Sequence, residues 1–201
     1  MKFLVTMLLL SGLATSCGGF QAKRVDAKES DEKALKITDN WVSADTTQAI
    51  SEIIKQMKSH PGFMRMKSRY GTPKLFIAEV QNDTAEAYFP IGDLNDELLN
   101  ELSYSGDFEL VDNKARESLL KEITYQNDGM VDPKTAKKIG NQIGADILIF
   151  GNVYMKPEKR DGRTIKEYSV NLRMTDLERG TEVLRTRTKI NKYSEKSSFG
   201  W

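Results

Sequence analysis

The stretch from Ile165 to Tyr193 constrains the fold more than any other part of the chain. Two strand-like runs, Ile165–Asp176 and Thr181–Tyr193, flank the turn Leu177–Gly180 (LERG). In the first, Tyr168, Val170, Leu172 and Met174 alternate with Ser169, Asn171, Arg173 and Thr175. In the second, Leu184, Thr186, Thr188 and Ile190 alternate with Val183, Arg185, Arg187 and Lys189. A period of two gives each strand two distinct faces. A hairpin patterned this way fits a sheet covered on one side and open on the other, which antiparallel strands permit.

The run Ala145–Met155 (ADILIFGNVYM) obeys the same parity. Ile147, Ile149, Val153 and Met155 take one face; Leu148, Phe150, Asn152 and Tyr154 take the other. With the first set turned toward helices, Phe150 and Tyr154 stand on the outer face, near Arg173 and Arg185 or Arg187. Aromatic residues beside arginines on an open face have the composition of a protein-binding surface. The bland alternative is a solvated face shielded by long side chains, or one covered by a loop.

Elsewhere the periodicity is helical. Ile50, Ile53, Ile54 and Met57 form one apolar stripe, with Asp45 or Thr46 as the cap and Pro61-Gly62 as the stop. Phe63–Pro73 interleaves cations with apolar residues and reads as a connecting segment tucked against the domain. Pro73–Asn82 is a strand, and the loop Asn82–Gly92 carries two exposed-looking aromatics, Tyr88 and Phe89. A helix with Ile91, Leu94, Leu98, Leu99 and Leu102 follows, then a short strand, Asp107–Asn113. Two further helices, Lys114–Gln126 and Asp132–Gly144, precede the long strand. The expected fold is a single α/β domain of α+β type. Its mixed, largely antiparallel sheet has four or five strands and about four helices, in the order α-β-α-β-α-α-β-β-β.

The N-terminus is organised differently. Met1 and Lys2 precede an apolar run, Phe3–Ala14, shorter than the ~20 residues of a spanning helix. Small residues Ala14, Thr15 and Ser16 lead to Cys17, the one cysteine of the chain, which Gly18 and Gly19 follow. This resembles the lipobox of a bacterial lipoprotein, with Ala14 where leucine is usual. The resemblance implies cleavage before Cys17 and acylation of its thiol, and more than one acyl chain gives stable anchoring. The expected layout is a signal peptide over 1–16, a lipidated charged tether over 17–40 that is compatible with a weak helix at Asp31–Ile37, a globular domain over 41–193 and a C-terminal tail over 194–201.

Lys+Arg 30 against Asp+Glu 29 leaves no global field for nucleic acid. The single histidine, His60, sits where a helix ends and reads as a cap. The chain carries no GxSxG, Walker loop, HExxH or paired CxxC. The expectation is therefore no catalytic residue, no metal and no cofactor.

Four segments in order then carry a family resemblance: FIAEVQNDT, FELVDN, KKIGNQIGADILIFGNV and LRMTDLERGTEV. From Trp41 to Thr188 the chain resembles the LpoB family of outer-membrane lipoproteins, which activate class A penicillin-binding proteins. The resemblance implies a fold related to the periplasmic domain of CsgG and the N-terminal domain of TolB. It places at Phe150 a family tyrosine that contacts the synthase, and at Asn82–Thr84 the family loop beside the sheet. The charged tether is shorter than the proline-rich one of the best-known members, and Leu184 stands where a tryptophan is often found. The expected partner surface is Phe150, Tyr154, Asn82, Thr84, Arg173, Arg185 and Arg187. The expected partners are a class A penicillin-binding protein and, through the lipid on Cys17, the outer membrane from its periplasmic side. Nucleic acid is not among them, and the chain is expected as a monomer. The competing reading is a CsgG-like structural lipoprotein, or an adaptor in another envelope complex.

Overall fold

Helix α2 (Ser43–Ser59) forms on the Ile50, Ile53, Ile54, Met57 stripe, and all four residues are buried. Its start differs from the sequence reading. Val42 holds the N-cap position; the Asp45 carboxylate accepts the Val42 N–H at 2.9 Å from the third helical position. Thr46 is buried, and its hydroxyl accepts from the Trp41 indole N–H at 2.9 Å. The computed structural model describes residues 23–111 and 144–195. Cys17, the two helices expected between Lys114 and Gly144 (Gly144 apart) and the tail from Lys196 lie outside the described residues.

Phe63–Pro73 is mostly a helix, not a connector: α3 spans Pro61–Tyr70. The signals were present at its start. Proline at the first helical position suits a group that has no N–H to satisfy, and the His60 imidazole accepts the Gly62 N–H at 3.0 Å. Phe63 and Met66 are buried by it, while Met64 is exposed. Helix α1 (Ala27–Ile37), capped by Asp26, lies in the expected tether and buries no residue.

The sheet combines β1 (Lys74–Ile77), β2 (Gln81–Asn82), β3 (Glu109–Leu110), β4 (Ile147–Arg160), β5 (Arg163–Asp176) and β6 (Thr181–Glu195), with α4 (Ile91–Ser105) before β3. The order is β3-β1-β4-β5-β6, and β2 lies beside β4 just past the end of β1. β1 runs parallel to β3 and β4; β4–β5 and β5–β6 are antiparallel. This is the expected mixed α+β domain, with α3 and the short β2 added.

β4 and β5 continue past the core to a two-residue turn at Asp161-Gly162, whose φ values of 50° and 76° are what a primed hairpin turn requires. Pro157 is tolerated in β4 because, among the described residues, no strand pairs with its far side beyond Val153.

Parity sets the layers. Ile147, Ile149 and Val153 of β4, Tyr168, Val170, Leu172 and Met174 of β5, and Leu184 and Ile190 of β6 share one core with α2, α3 and α4. Trp41 and Phe89 complete it around Tyr168, with Trp41–Phe89 and Trp41–Tyr168 centroids 5.2 and 5.3 Å apart. Phe89 is thus interior, correcting the loop reading, whereas Tyr88 is fully exposed. The opposite face of β1 and β4 carries a second, smaller cluster of Phe76, Ala78, Ala145, Leu148 and Leu177, with Phe150 and Val111 packed at its edge.

Candidate functional site

The outer face of β4, β5 and β6 is built in rows by the strand register. Phe150 pairs with Arg173, which pairs with Arg185; Asn152 with Asn171, then Arg187; Tyr154 with Ser169, then Lys189. The residues that sequence parity put outward therefore do share one face. Phe150 is half-buried, its ring against the smaller cluster and under Arg173, whose guanidinium carbon lies 5.4 Å from the ring centroid. The arrangement is a cation–π contact, which fixes the arginine above the ring.

Glu182 holds that row together electrostatically. Its carboxylate meets Arg173 Nε at 3.2 Å and the Arg185 terminal amine at 2.9 Å. Strict alternation would turn Glu182 to the same side as Leu184. A β-bulge intervenes: Met174 pairs with Leu184 and Thr175 with Glu182, so Val183 is skipped. One extra residue reverses the facing of what precedes it. The Glu182 bond holds the Arg185 guanidinium above its ordinary value, so it keeps its charge.

The next row is a ladder of amides. Asn152 Nδ2 donates to Asp83 Oδ2 at 2.7 Å, Asn171 Nδ2 to Asn152 Oδ1 at 3.2 Å, and Arg187 Nε to Asn171 Oδ1 at 2.7 Å. Asp83, Asn152 and Asn171 were not singled out from the sequence. The signal available was the parity of the two asparagines; the register that aligns them came only with the hairpin turns.

Asn82 and Thr84 do not join this face. The Asn82 side chain accepts from the Thr84 N–H at 3.0 Å and from its hydroxyl at 2.6 Å, and donates to the Glu86 carbonyl at 3.3 Å. They shape the loop, and Asp83 between them reaches the sheet. Beyond Tyr154 the face grows charged, with Lys189 on Glu167 at 3.0 Å and Lys156 on Glu158 at 2.8 Å.

On the inner side, the segment between α1 and α2 is clamped. Lys166 meets Asp39 at 3.1 Å and Glu86 at 2.9 Å, and the Tyr168 hydroxyl donates to Glu86 at 2.8 Å. Burial and that carboxylate push the Tyr168 phenol well above its ordinary value, so it stays a donor. Among the described residues, no group of three or more His, Cys, Asp or Glu side chains could hold a metal ion.

The fold is an α+β domain whose sheet has α2, α3 and α4 on one face and, among the described residues, a row of aromatic and arginine side chains on the other. The family is specific: residues 45–190 match the model of the peptidoglycan-synthase activator LpoB, and the chain belongs to that family. No curated protein sequence matches it. Among solved structures it is similar to the LpoB C-terminal domain from Salmonella enterica, at 16% identity and a TM-score of 0.50, over 73% of this chain and 98% of that one. The LpoB C-terminal domain from Escherichia coli gives 14% and 0.48 over 73% and 98%. Lipoprotein GNA1162 from Neisseria meningitidis gives 18% and 0.46 over 63% and 88%. At these identities the likeness is one of fold.

Proposed function

We propose that this chain is a lipid-anchored regulator, not an enzyme, that docks on a class A penicillin-binding protein and raises its peptidoglycan synthesis. The family is one of peptidoglycan-synthase activators. The observation that carries the reading is the row Phe150–Arg173–Arg185 on the sheet face opposite α2, α3 and α4. Phe150 sits where the family resemblance puts a synthase-contacting tyrosine; it keeps the ring and lacks the hydroxyl. An activator must bind the active form of the synthase more tightly than the inactive form, since only differential affinity shifts an equilibrium. Acylation of Cys17 would hold the monomer on the outer membrane, facing the periplasm, with residues 17–40 as the tether.

The test is capture from source cells with the full chain in mild detergent. A class A penicillin-binding protein should be retained, and Phe150→Ala should retain less of it. Recovery of only its own copies or of secretion components would instead favour the CsgG-like structural role.

A further inference from the structure

Arg187 is held at both ends. Its backbone N–H donates to Gln56 Oε1 of α2 at 3.2 Å, and its Nε donates to Asn171 at 2.7 Å. The ladder behind it has one polarity. Asp83 as a carboxylate only accepts, so Asn152 must turn its NH2 toward it and its oxygen toward Asn171. Asn171 is oriented in turn and presents its oxygen to Arg187, which only donates. The guanidinium is thus aimed by a relay that starts at Asp83 on the far side of the face.

The other cations in these rows have carboxylate partners: Arg173 and Arg185 share Glu182, and Lys189 meets Glu167. Among the described residues, no carboxylate lies within ion-pair distance of Arg187, and its side chain is exposed. We infer that Arg187 is a pre-aimed anion receptor on the docking face, and that the protein partner meets it with an acidic side chain. This rests on the docking reading above. One rigid fork suits one carboxylate. An anionic membrane would be met by a cluster of flexible lysines, which this row lacks.

The experiment is a titration of the full chain, in mild detergent, against the purified synthase at low and high salt. Arg187→Ala should weaken binding on the order of ten-fold or more and flatten the salt dependence. Arg187→Lys should recover only part, because charge without the fork is insufficient. Asn171→Ala, acting through position alone, should weaken binding with the salt dependence retained. Thermal unfolding of each variant separates these effects from misfolding. Arg187→Glu should be rescued by an acid-to-lysine change in the partner. Equal binding by wild type and Arg187→Ala, with equal salt dependence, would overturn the inference and leave docking intact. Arg187-dependent binding to phosphatidylglycerol–phosphatidylethanolamine vesicles with Arg187-independent binding to the synthase would overturn it in favour of lipid. A wild type that binds no synthase overturns both readings.

Discussion

The Arg173 guanidinium lies over the Phe150 ring and binds Glu182, a residue that reaches this face only through the bulge at Val183. Aromatic ring, cation and counter-ion are therefore one unit, assembled from three strand positions. Because the ring is only half-buried, Phe150→Ala should cost about 1–3 kcal/mol in urea unfolding, below the range for a fully buried phenylalanine. Phe150→Tyr should stay within about 0.5 kcal/mol and activate at least as well as wild type.

Gly62 tests the bulge from the other side of the molecule. A Cβ there would sit 2.0 Å from the Val183 carbonyl oxygen, where α3 begins against β6. Gly62→Ala must push helix and strand apart. We expect a loss of about 1–3 kcal/mol in thermal unfolding, with NMR shifts changing at Val183 and Glu182. Unchanged shifts on the outer face would show that the bulge is set independently of α3.

Lys192 and Asp45 form a buried ion pair at 2.8 Å, joining the end of β6 to the first turn of α2. Each single change, Lys192→Met or Asp45→Asn, should cost about 3–5 kcal/mol by leaving a buried group without its partner. The double variant should cost clearly less than the two together. Strict additivity in a urea-unfolding cycle would contradict this coupling.

The junction cluster predicts a pH window. The Ser194 hydrogen bond, aided by Lys166, holds the Asp39 carboxyl below its ordinary value of 3.8 against the effect of burial. Burial acts to lower Lys166, but hydrogen bonds to Glu86 and Asp39 outweigh it and raise the amine above 10.5. A lowered carboxyl stabilises above its ordinary value and loses that contribution as pH falls through its folded value. A raised amine stabilises below its ordinary value and loses the contribution as pH rises through its folded one. The stability gap between wild type and Lys166→Met should be flat between 3.8 and 10.5 and shrink outside both limits. Urea unfolding across the pH range reads this directly, and a gap independent of pH would rule out the cluster as its source.

What was legible in the sequence was periodic. Tyr168–Val170–Leu172–Met174 and Leu184–Thr186–Thr188–Ile190 announced their inner face, and Phe150 and Tyr154 followed to the outer one. Features that depend on distant partners were not legible. Asp45 and Thr46 look like caps from their neighbours in sequence, but Lys192 and Trp41 draw them into the interior. The continuation of β4 and β5 through Pro157 and Asp161-Gly162 carries no apolar alternation, because it leaves the core. The bulge at Val183 hid Glu182, since parity counting assumes an unbroken register.

The central claim is that the sheet face around Phe150 activates a synthase, and the most direct measurement is the glycan-polymerisation rate of the purified class A penicillin-binding protein. Added wild-type chain should raise that rate. Phe150→Ala, once shown to be folded, should raise it far less. A rate unchanged by the wild type, or raised equally by both proteins, would contradict the account.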